Sequence, residues 1–131
     1  MLLAALMLLS APNCLPHAGP QRLEGVLVAR TFPGPPNFES IKDGDRPERY
    51  WLLRLARPIC VADDPNDPET GGGARDVREI QLILSPEDFA RYRPLMGKPI
   101  VAQGDFMSPI SGHHHTSILL EGVTLARRPQ G

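Results

Sequence analysis

From Leu23 to Phe32 (LEGVLVARTF) apolar and polar side chains alternate. Leu23, Val26 and Val28 mark the apolar positions, and Gly25 marks a kink. A period of two predicts a β-strand. Tyr50 to Val61 (YWLLRLARPICV) predicts a second strand, with Trp51, Leu53 and Leu55 on one face and Arg54 and Arg57 toward water. Val77 to Leu84 (VREIQLIL) predicts a third. Ser85 then has the chemistry of a helix N-cap, Pro86 suits the first helical position, and Asp88 lies where an acid favours a helix start. The helix is predicted over Pro86–Met96, with Phe89, Tyr92 and Leu95 at helical spacing and Gly97 as its stop. Lys98 to Phe106 (KPIVAQGDF) and Thr116 to Ala126 (TSILLEGVTLA) predict the fourth and fifth strands.

Two long segments interrupt this pattern. PGPPNFESIKDGDRPER holds Pro33, Pro35 and Pro36, which donate no ladder hydrogen bonds, so it reads as an extended loop. ADDPNDPETGGGARD (62–76) has little to pack and reads as a solvated hairpin loop. Its acids, Asp63, Asp64, Asp67 and Glu69, lack the D-x-[DN]-x-[DN]-G spacing of a calcium loop.

Three strands, one helix and two strands is the element order of the OB-fold. The fold class expected is therefore all-β with one helix, a small five-stranded OB-like Greek-key barrel. Gly104 is expected to let the fourth strand bend. The organisation expected is a signal peptide at 1–13, an N-terminal extension at 14–22, the OB-like domain at 23–127 and a tail at 128–131.

Composition narrows the class. In 131 residues, 15 prolines and 12 glycines exclude a helical bundle. Fourteen basic residues against 15 acidic ones give no cationic face for nucleic acid or anionic membrane. Met1 to Leu9 is an unbroken apolar run, too short for a bilayer span of about 20 residues and of the length of a signal-peptide core. No Lys or Arg precedes it, and the first Arg is Arg22. A periplasmic or secreted location is expected. In an oxidising compartment Cys14 and Cys60 are most simply a disulfide; the alternative is two unrelated thiols, one lost with the signal.

Candidate chemistry centres on SGHHHTSILL, Ser111 to Leu120, which holds three of the four histidines. Were the fifth strand to start near the triplet, His113 and His115 would share one face and His114 the other. Two imidazoles at that spacing suit zinc or copper, and a third ligand would come from Asp105 or from Glu39, Asp43, Asp45 or Glu48 in the first long loop. The plainer reading has the histidines and Thr116 fixing a turn by hydrogen bonds. The binding residues expected are His113, His114, His115, Thr116, Glu39 and Asp45, with His113 and His115 as the metal pair and no catalytic residue assigned. Ser108, Ser111 and Ser117 flank the histidines, but G-x-S-x-G is absent.

The set FPGPPNFESI, GDRPERYWLLRL, RPICV, IQLIL, LMGKPIVAQG and GHHHTSILL resembles an uncharacterised family of bacterial exported proteins, a domain of unknown function with a Gly-His-His-His-Thr signature. The resemblance covers roughly Cys14 to Leu125. This sequence departs from it in an inserted GGG in the middle loop and in a signal without a basic start. The resemblance implies export and favours pairing of Cys14 with Cys60; it implies no activity. The function expected is a binding or interaction module for a protein or small ligand of the cell envelope. The alternative is a zinc or copper protein using His113 and His115, with a metal-dependent envelope hydrolase as one form of it.

Overall fold

The computed structural model describes residues 13–130, so the expected signal peptide lies almost wholly outside the described residues. Five strands, β1 (Pro20–Pro33), β2 (Pro47–Val61), β3 (Ala74–Leu82), β4 (Pro99–Met107) and β5 (Leu119–Arg127), close into a barrel in the order β1-β2-β3-β5-β4. All pairings are antiparallel except β3 with β5, which is parallel. The expected all-β architecture with one helix is the one observed.

β1 is long enough to pair with two neighbours. Its first half runs beside β4, its second half beside β2, and Gly25 and Val26 pair with both. A strand that changes partner must bend sharply, and Gly25 is where it bends: a Cβ there would run into the carbonyl of Arg54. Gly104 sits at the register shift between Gln103 and Asp105, where β4 leaves its regular pairing with β5.

The barrel interior is filled by Leu23, Leu27, Leu53, Ile80, Leu82, Ile100, Ala102, Phe106, Ile118, Leu120 and Leu125. Helix α1 (Pro86–Tyr92) plugs one end, with Phe89 set edge-on to Trp51 at 4.8 Å. Its start carries the full capping box: Asp88 N donates to Ser85 Oγ, and Ser85 N donates to the Asp88 carboxylate. The α-helix is shorter than expected because Pro94 lacks an N–H, and the chain continues as a 3-10 turn over Arg93–Leu95.

Further boundaries differ from those read in the sequence: β2 starts at Pro47 and β3 at Ala74, both inside the expected loops. β1 starts at Pro20, inside the expected extension. β3 ends at Leu82, before Ile83 and Leu84. β5 starts at Leu119, so none of the three histidines is in a strand. Thr116, expected to open β5, turns its hydroxyl inward instead: it accepts from Gln81 N at 3.0 Å and donates to Ile118 O at 2.7 Å. That hydroxyl replaces the backbone partners a strand would supply.

A disulfide joins Cys14 to Cys60. Beside it, Leu15 forms a bridge to Val61, donating to Cys60 O and accepting from Ala62 N, both at 2.8 Å. The chain before β1 is thus pinned to the end of β2.

Non-reducing peptide mapping is expected to recover Cys14 linked to Cys60; reduction should lower stability by about 4 kcal/mol, the loop-closure entropy of the 46-residue separation, read from urea midpoints. Gly25→Ala should cost about 1–3 kcal/mol in the same measurement, because the Arg54 backbone would have to move.

Candidate functional site

Alternation along β3 puts Ile80 and Leu82 inside the barrel and Gln81 on the outer face. Gln81 is nevertheless only 1% exposed. Its strand partners Leu52 and Leu119 are also buried and lie outside the interior cluster. The segment between β4 and β5 closes over this face. Gln81 Nε2 donates to His113 O at 3.0 Å, and Gln81 Oε1 accepts from His115 N at 2.8 Å. A buried amide with both ends satisfied holds the histidine backbone against the sheet.

The same outer face of β2 carries Glu48, Tyr50 and Leu52 at alternate positions, with Phe32 of β1 opposite Glu48. Both oxygens of Glu48 lie on His113 Nδ1, at 2.9 and 2.8 Å. A carboxylate accepts, so Nδ1 is the protonated nitrogen. His115 Nε2 is 3.8 Å from Glu48 Oε1, too far for a hydrogen bond, and this buried nitrogen has no hydrogen-bond partner. The His115 ring stacks on Phe32, centroids 4.4 Å apart and nearly parallel, with Tyr50 at 5.3 Å. Its side chain is 10% exposed.

The first long loop supplies the remaining wall. Asp45 is buried and accepts from Asn37 N, Glu39 N and Ser40 N at 2.8–2.9 Å. These donors, Ser40 and Glu39 foremost, hold its carboxyl below the ordinary value of 3.8. They also wrap the chain around Phe38, whose φ of 56° is left-handed. A non-glycine residue there costs about 1–2 kcal/mol, which the hydrogen bonds to Asp45 offset. The ring of Phe38 thereby stands edge-on to His113 at 5.1 Å. Gly112 has to be bare for this, since a Cβ would sit 2.8 Å from that ring.

The sequence-expected residues therefore separate. His113 and His115 share one side, while His114 turns away and accepts from Ile110 N through Nδ1 at 3.0 Å. Thr116 is a backbone anchor. Asp45 builds the loop, and Glu39 offers its N–H to Asp45 from an exposed position. Of the acids considered beside the histidines, Glu48 alone reaches them. The sequence pattern does not mark Phe32, Phe38 or Gln81 as site residues, and at a strand start Tyr50 reads as barrel packing before it reads as a ligand-stacking ring. A polar residue on the outer face of a strand ordinarily reads as solvated, so nothing local to Gln81 marked it. Among the described residues, no group of three His, Cys, Asp or Glu side chains is arranged to hold a metal ion.

Burial holds the His115 imidazole below its ordinary 6.5, against the opposite pull of Glu48. Burial and the Glu48 charge push Tyr50 up to about 12, so its hydroxyl keeps its proton. Because the unfolded chain takes up the His115 proton first, this contribution to stability is complete above 6.5 and is lost as the pH falls from there toward the lower folded value. Urea midpoints between pH 7.5 and 5 should fall accordingly, and His115→Gln should flatten the slope; an equal slope in the variant would show that His115 is not its source.

No curated protein and no solved structure matches the chain. Residues 79–126, from the end of β3 through α1, β4, the histidine segment and nearly all of β5, match a family described as "Domain of unknown function (DUF4431)".

Proposed function

We propose that this chain is a small exported binding module whose ligand face is the outer surface of β1–β2–β3, between the first long loop and the histidine segment. The carrying observation is the Glu48–His113 contact, which joins the start of β2 to the histidine segment, with Phe38 of the first loop against the same imidazole. OB-folds take ligands on the face of strands 2 and 3 and at the loops after strands 1 and 4. Fold supplies only the place; the chemistry must come from the residues. Here a carboxylate, a phenol, two imidazoles and two phenylalanine rings gather at that place. The disulfide favours an oxidising compartment such as the periplasm or the extracellular space, where a protein or a small ligand of the cell envelope would be the partner.

Binding is a better reading than hydrolysis. Ser111 Oγ accepts from the His113 backbone N–H rather than from an imidazole. Ser108 meets the His17 ring at 3.0 Å, but its proton goes to Gly72 O at 2.6 Å. The ring nitrogen must then donate to Ser108, which is the reverse of a general base. A zinc or copper site needs a third protein ligand beside the two imidazoles, and among the described residues no group of three His, Cys, Asp or Glu side chains is arranged to supply it.

NMR shift mapping of the full chain with panels of amines, carboxylates, saccharides and short peptides tests the face. Perturbations should gather at Phe38, Tyr50, His113 and His115. Ligands that bind only at the helix end or at the loop of residues 62–73 would place the function elsewhere.

A further inference from the structure

The notch formed by Glu48, Phe38 and Tyr50 has one occupant, the His113 ring, and that ring comes from a loop rather than from the sheet. Among the described residues, the ion-pair partners of Glu48 are the two imidazoles alone; no Lys or Arg pairs with it. A half-buried carboxylate without a permanent counter-charge attracts cations. Burial first, and then the Glu48 charge, push the neighbouring Tyr50 hydroxyl up to about 12.

We infer that this notch recognises an organic cation, a primary ammonium or a guanidinium, and that His113 is its stand-in until the cation displaces it. The inference rests on the ligand face proposed above and adds its chemical class.

His115 supplies the second observation. Its side chain is nine-tenths buried, and its Nε2 lacks a hydrogen-bond partner while facing the Glu48 carboxylate at 3.8 Å. With its proton on Nε2 the neutral imidazole would face Glu48 as a distant donor; with its proton on Nδ1 it offers Nε2 as an acceptor, and that is the tautomer a cation selects. Two acceptors 3.8 Å apart cannot bond to each other, yet one N–H-bearing group can stand about 2.9 Å from both. An ammonium or guanidinium supplies several such donors, whereas an anion supplies none and would meet the Glu48 charge. Access follows from the loop. The His113 side chain is half exposed, and its backbone hold on Gln81 does not depend on where the ring points. Rotating the ring outward uncovers the carboxylate without breaking the clamp.

This arrangement gives the two members of one pair opposite roles. Glu48 is the receptor and His113 its competitor, so their substitutions should change affinity in opposite directions. The full chain is titrated with propylammonium and methylguanidinium, with acetate and glucose as controls, following the imidazole signals of His113 and His115 and the amide of Tyr50. Both cations should move these signals. Glu48→Gln should weaken binding about tenfold or more, the weight of a charge-assisted hydrogen bond. His113→Ala should tighten it about threefold to tenfold, the weight of one competing, half-exposed hydrogen bond to the carboxylate. His113→Asn, checked for an unchanged melt, repeats the test should the alanine variant fold poorly. An N-acetylated, C-amidated Gly-Arg-Gly peptide binding tenfold tighter than methylguanidinium would assign the cation to a partner's side chain; equal affinity would assign it to a free ligand.

Weakening by His113→Ala to the extent seen with Glu48→Gln would overturn the inference, since His113 would then belong to the receptor. Acetate or glucose moving the same signals while the cations do not would overturn the ligand class and leave the face standing. Perturbation by every probe at other residues only would overturn both.

Discussion

Gln81 sits on the side of β3 that looks away from the barrel interior, yet it is buried. A primary amide out of water needs a partner at each end, and an unmet donor or acceptor costs about 1–3 kcal/mol. Gln81 meets that requirement with the backbone of His113 and His115. In doing so it fixes the path of the chain between β4 and β5 and lets Leu52 and Leu119 be covered. The histidine rings stand where they do because their backbone is held beneath them.

The opposite wall is built by the same physics with a charged group. Asp45 gathers three backbone N–H donors of its own loop, offsets the left-handed backbone at Phe38, and so aims a phenylalanine ring across the gap at His113. Glu48 then spans between the walls. A half-exposed His–Glu pair contributes little stability by itself, about 0–1 kcal/mol. The loops are held by Gln81, Thr116 and Asp45, and this frees the Glu48–His113 contact to be exchanged for something else. The rigid parts of the face and its exchangeable part are different residues.

Below the face the domain is conventional for its size. The closed ring of strands removes sheet edges, the capped helix closes one end of the core, and the Cys14–Cys60 link ties the entering chain to the end of β2. Among the described residues no helix is long and apolar enough to cross a membrane.

The sequence by itself determined the strands, the capped helix and their order, and it offered a Cys14–Cys60 link beside the alternative of two unrelated thiols, which the fold decided. Those features are written in short-range signals: apolar alternation with period two, Ser85 and Asp88 at capping distance, two cysteines in all. It also pointed to the histidines, and it placed His113 and His115 together opposite His114, although the reason is a clamped loop and not a strand. Only the tertiary structure decided which acid meets them. Glu39, Asp43, Asp45, Glu48 and Asp105 look alike along the chain; Glu48 is chosen because the β1–β2 register sets it opposite Phe32 on the outer face, and Asp45 is spent inside its own loop. Gln81, Phe38 and Gly112 acquire their roles from neighbours far along the chain, as the 32-residue separation of Gln81 from His113 shows, and no local pattern encodes such a meeting. Barrel closure brings those distant segments to one surface, and the need to satisfy buried polar groups decides which of them touch.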